Sequence, residues 1–220
     1  MERRSITAAG PVRVKTREDG KGKTIGGYGA VFYNASDPGT QYQLWQDVFE
    51  RIMPGAFDRA IREDDVRSLF NHDCNIVLGR ASAGTLKLSI DSRGLLYEAS
   101  PADTQLLRDQ VLSPIERGEV TGSSFMFVPL ATAWIEEVVD GRTLYIRELR
   151  ECQLWELGPV VFPAYEGTTT GVRGNFDLAE LRASLEKWQR DKGTKGQRDE
   201  DGEAVAVRAR AVQVAEAEAE

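Results

Sequence analysis

The stretch TGSSFMFVPLATAWIEEVVDGRTLYIRELRECQLW, residues 121–155, decides the fold class. Its aromatic and β-branched content predicts strands over 121–128, 134–139 and 142–155, with Asp140-Gly141 as a tight turn joining the last two. Working outward, 159–163 is a short apolar segment closed by Pro163. Residues 85–90 and 95–99 flank Asp91-Ser92-Arg93-Gly94, a good hairpin signal. Residues 66–70 read as a strand running into Asn71-His72-Asp73, and 44–52 as another extended segment after a loop at 34–40. Residues 23–32 have strand character, with glycines that bend it or mark a bulge. Helices are fewer. Pro54 opens a short one, and Asp103 or Thr104 caps another that reaches Arg117, with Pro114 as a kink and Gly118 as its stop. The last starts near Asp177, which has capping-box spacing to Glu180, and sets Leu178, Leu181, Leu185 and Trp188 on one face. Strands dominate, so the expectation is an α+β fold built on a curled sheet or barrel.

The chain has 220 residues, 41% hydrophobic and 29% charged. That suffices for one domain with a core needing neither disulfide nor metal staple. The expected division is a loose polar lead-in over 1–22, a folded domain over 23–190 and an acidic tail over 191–220. The tail has no aromatic residue, Leu or Ile and ends AEAEAE, a composition expected to stay disordered. Lys and Arg total 28 against 35 Asp and Glu, a net charge of −7. This argues against a dedicated nucleic-acid binder, whose affinity rests on phosphate neutralisation. The longest uncharged run, 120–135, is too short and polar to span a bilayer, and no secretory signal is visible. The reading is a soluble, intracellular protein with no membrane partner.

A single histidine, His72, bounds the chemistry: sites needing two or three imidazoles are excluded. His72 follows an apolar strand at a polar break, a place compatible with a general base on rigid structure, though a lone histidine is more often a surface or core residue. On a strand, Ser124 takes the face opposite Phe125 and Phe127, so its hydroxyl can stand in a cleft, whereas Ser123 shares the phenylalanine face. Serines in strands are seldom nucleophiles, and spacing does not show a base within reach. Glu156 lies among Trp155, Leu157 and Val160, where a carboxylate needs a partner. It reads as an ion-pair partner for an arginine or as the acid that orients His72, with Glu148 and Glu151 competing. Cys74 and His72 on one strand face stand about 6.5 Å apart, too far for a thiolate–imidazole bond, so Cys74 is read as structural. Cys74 and Cys152 make neither a disulfide framework nor a zinc set with His72 and Asp73.

Taken in order, these motifs resemble a family. Gly27-Tyr28-Gly29-Ala30-Val31-Phe32, then residues 49–58, then Asn71-His72-Asp73 with Val77-Leu78-Gly79-Arg80, resemble the prohead maturation proteases of HK97-type tailed phages. Gly84-Thr85-Leu86, Gly94-Leu95, Gly122-Ser123-Ser124-Phe125-Met126-Phe127 and the run from Glu156 to Pro163-Ala164-Tyr165 continue the likeness, which covers about 23–168. The chain departs from the family in carrying Met126 between the two phenylalanines and Leu157-Gly158 after the acid. The resemblance implies a herpesvirus-assemblin-like β-barrel surrounded by helices. It implies a serine endopeptidase with Ser124 as nucleophile, His72 as base and Glu156 as the most favoured acid, and no cofactor or metal. It further implies cleavage of the major capsid protein precursor and its scaffolding segment inside the immature virion shell, in the host cytoplasm. Self-association and self-processing of the tail after about Arg190 are further expectations. The alternative is a catalytically silent capsid-assembly factor; a thiol hydrolase using Cys74 is a third.

Overall fold

The computed structural model describes residues 1–6, 10–17, 20, 22–163 and 178–196. Its backbone is mostly strand, with a few helices, an α+β composition. The frame is one long hairpin, β10 (Gly122–Val139) and β11 (Arg142–Val160). Asp140 and Gly141 both take positive φ in the two-residue turn between them, as a hairpin with the native right-handed twist requires. The separate strands expected over 121–128 and 134–139 are one strand. Pro129 does not end it, because register shifts on either side of Ala131 absorb the proline as bulges. Likewise Pro159 and Val160 belong to β11 rather than to a separate apolar segment.

β1 (Glu2–Ile6) pairs antiparallel with β10, and β5 (Val48–Ile52) pairs parallel with β11 and antiparallel with β4 (Gln41–Trp45). β6 (Arg67–Phe70) joins β11 in parallel further along, at Glu156 and Leu157, and pairs antiparallel with β7 (Asp73–Arg80). The second sheet has the order β2 (Arg13–Thr16), β3 (Lys23–Val31), β9 (Gly94–Ala99), β8 (Leu86–Ile90). Its β8–β9 turn is held as the sequence predicts, with Asp91 Oδ1 accepting from the Arg93 and Gly94 amides. Glu2–Ile6 and Arg13–Thr16 are thus strands within what reads in sequence as a lead-in. Charge pairing, which strand patterning does not register, holds the first of them: Arg4 Nε donates to Glu50 Oε1 at 2.6 Å, and Glu2 takes Arg147 at 3.0 Å.

One core fills the space between the sheets. Phe57 meets Phe125 edge-on at 5.8 Å, and Phe125 stacks with Phe127 at 5.2 Å, so alternate residues of β10 anchor it. Among the described residues no closed barrel is found, so the assemblin-like barrel is not confirmed. The first sheet ends at β1, β4 and β7, the second at β2 and β8. Toward β4 and β5 the first sheet meets a helix instead of another strand. α4 (Leu178–Gly196), the last of the described helices, packs Leu181 and Leu185 on Leu44, Val48 and Trp134.

The other described helices are short. α1 (Ala60–Glu63) is one turn; α2 (Gln105–Leu107) and α3 (Ser113–Glu116) are joined by a π-helical turn, Arg108–Leu112. Thr104 caps α2 through the Leu107 amide, Gly118 stops the run at positive φ, and the disturbance expected at Pro114 falls in the π turn before it. Asp177 and residues 197–220, where the capping box and most of the tail were read, lie outside the described residues. Among the described residues, no helix is long and apolar enough to cross a membrane.

Candidate active site

Ser124 is near the start of β10, opposite Gly158, with Met126 opposite Glu156. Phe125, Phe127 and Leu157 are fully buried in the core, so strand alternation turns Ser124, Glu156 and Gly158 to the other face. A bulge makes this possible for Glu156. Leu154 and Leu157 are both core residues, and the register shifts at Met126 and Phe127, so two consecutive residues, Trp155 and Glu156, turn away from the core. Bulges beside active sites re-aim side chains in this way.

His72 reaches the same face from the β6–β7 turn. Phe70 pairs with Asp73, so Asn71 and His72 form a two-residue hairpin turn, and their φ angles are +53° and +60°. Left-handed backbone costs a residue with a Cβ on the order of 1 kcal/mol, less for asparagine, and such strain gathers at functional sites. Here β11 holds the turn. The Asn71 amide donates to Pro159 O at 3.0 Å, and the Val161 amide donates to Asn71 Oδ1 at 2.8 Å. The result is a hydrogen bond between His72 Nδ1 and Glu156 Oε1. Because a carboxylate only accepts, Nδ1 carries the proton and Nε2 is left as the basic nitrogen. Glu156 is 5% exposed, and among the described residues its buried Oε2 has no hydrogen-bond partner, so the imidazole is its one bonded partner there.

Glu148 pairs with Arg150 and Glu151 with Arg59, so neither of these acids meets His72. Ser123 is tied on the core side to Tyr97 at 3.0 Å. Ser124 Oγ, 1% exposed, donates to the Arg4 carbonyl at 3.0 Å, and no hydrogen bond joins it to His72 among the described residues. Cys74 is exposed, while Cys152 is buried and desolvation pushes its thiol up to about 12. Iodoacetamide should therefore modify the native chain once, at Cys74, without loss of activity. Two alkylations by intact mass, or loss of activity with one, would contradict this. Among the described residues, no group of His, Cys, Asp and Glu could hold a metal ion.

Three positioning residues escaped the sequence reading. Asn71 carried a signal, since Asn is the preferred first residue of a two-residue hairpin turn, but histidine in second place obscured it. Gly158 stands where a Cβ would come within 2.0 Å of the Leu69 carbonyl oxygen, a contact local sequence does not reveal. Arg4 acts through a partner 120 residues away. Asn71→Ala should lower stability by about 1–2 kcal/mol, through lost left-handed tolerance and one lost bond. Asn71→Gly, which keeps the turn conformation, should lose less. Equal urea midpoints for wild type and Asn71→Ala would show that the tie to β11 contributes nothing.

A family model described as Caudovirus prohead serine protease matches residues 11–180. No curated protein and no solved structure matches.

Proposed function

Because the chain belongs to the caudovirus prohead serine protease family, we propose that Ser124, His72 and Glu156 form its catalytic triad and cleave capsid proteins inside the immature phage shell. The observation that carries this reading is the His72–Glu156 hydrogen bond on the sheet face that bears Ser124. Ser124 Oγ attacks the scissile carbonyl carbon while His72 Nε2 takes its proton. Glu156 holds the Nδ1–H and offsets the charge of the imidazolium. When the tetrahedral intermediate collapses, the C–N bond breaks and the leaving amine takes the proton from Nε2. Water, activated by the same nitrogen, then hydrolyses the serine ester and restores the hydroxyl.

The substrates are the major capsid protein precursor and its scaffolding segment. The test is co-expression with that precursor, reading intact masses for wild type and Ser124→Ala. Processing by the wild type alone is the expected result; equal processing by both would reject Ser124. The same spectra examine the tail, which the active chain should lose after about Arg190 and Ser124→Ala should keep. One observation favours a second reading, a silent assembly factor: the Ser124 hydroxyl is engaged by Arg4 rather than by His72. On that reading neither form processes the precursor, yet both enter the shell.

A further inference from the structure

β1 lies along the serine-bearing strand as an extended peptide would. Its five residues pair antiparallel with β10 from Glu2 opposite Phe127 to Ile6 opposite Ser123. The carbonyl it presents at the nucleophile is that of Arg4, which accepts from Ser124 Oγ at 3.0 Å. Alternation sends Glu2 and Arg4 to one side, and each meets a built partner there. Arg4 Nε donates to Glu50 Oε1 at 2.6 Å, with its guanidinium 5.5 Å from the Phe127 ring centre. Glu2 receives both Arg147 terminal nitrogens at 3.0 Å. Glu50 is fully buried and Arg147 is 6% exposed, and the two also bond each other at 3.0 Å. β1 lies outside the residues matched by the family model, while Ser124, Glu50 and Arg147 lie within them.

We propose that β1 occupies the substrate groove: peptide substrates add to β10 in its place, with an acidic residue on Arg147, a basic residue on Glu50, and the carbonyl of the basic residue at Ser124. The substrate class is an extended Glu-x-Arg segment, bound by strand addition, and the acyl transfer described above acts on the bond after the arginine. Backbone pairing supplies affinity, and the alternate side chains supply selection. A basic residue at Glu50 is favoured because Arg147 engages Oε2 and leaves the buried Oε1 to be paired by the segment on β10. In this state β1 covers the nucleophile, so substrate competes with the chain's own segment. The inference rests on the protease reading for the cleavage step alone; occupancy of the groove can be measured without it.

The test uses the full chain carrying Ser124→Cys and Cys74→Ser, probed with a charged methanethiosulfonate reagent. Cys152 is buried and does not compete. Adding Arg4→Glu, which sets like charge against Glu50, should speed labelling of position 124 by on the order of tenfold. The peptide Glu-Arg-Arg-Ser-Ile, supplied in trans, should slow it again, and Glu-Arg-Glu-Ser-Ile should not. Unchanged labelling, or equal protection by both peptides, overturns the proposal. If Arg4→Glu melts at the assay temperature, Arg4→Gln removes the charge without adding a carboxylate, and the same outcomes apply. Cleavage of Glu-Arg-Arg-Ser-Ile by the Ser124 chain is read separately. Protection without cleavage leaves the groove assignment standing and removes the protease reading; cleavage without selective protection does the reverse.

Discussion

His72→Asn should lower precursor cleavage as far as Ser124→Ala does, by roughly 10⁴- to 10⁶-fold, because members of a triad act as one unit. Asparagine suits the test. It tolerates the left-handed backbone at φ +60° and keeps an amide donor for Glu156, yet it cannot accept the serine proton. The melting temperature should therefore stay near that of wild type while single-turnover cleavage collapses. Glu156→Gln should fall less far, by about 10⁴-fold, since it spoils the tautomer without removing the base. A His72→Asn chain that keeps a tenth or more of its activity would end the base assignment.

Gly158→Ala should reduce cleavage by about 100-fold although it touches no reacting atom. The added methyl would lie 2.0 Å from Leu69 O, which is backbone and has no rotamer to change. β6 must then move away from β11, and it carries the His72 turn with it. Glu156, anchored in β11 two residues before the methyl, does not follow. The loss should appear in kcat more than in KM, because the edge of β10 away from β11 is undisturbed. Wild-type kcat in a folded Gly158→Ala chain would show that the turn moves independently of β6.

Where side-chain chemistry is local, the sequence carried the local geometry. The phenylalanines at 125 and 127 revealed which way Ser124 faces, and the turn signals at 91–94 and 140–141 revealed two hairpins. Glu156 could not be separated from Glu148 and Glu151 by spacing. What separates them is a bulge at 155–156 and the parallel pairing of β6 with β11, both consequences of packing. How the first sheet ends was illegible for a similar reason. Strand propensity counts strands but does not say that Leu181 and Leu185 of a helix cover the β4 end of the first sheet. β1 was illegible because polar Glu-Arg-Arg-Ser pairs through charges brought in by residues 50 and 147.

His72 and Glu156 are 84 residues apart in the chain, and Ser124 and Arg4 are 120 apart. A ribosome emitting this chain in order releases serine and histidine well before the strand bearing the acid and the anchor for the Asn71 turn. Non-local pairings of this kind are also slow to form. A chain cut short before Val161 therefore lacks part of the proposed relay or the anchor of its histidine turn. On the proposed reading, proteolysis would start only in chains whose long hairpin has closed.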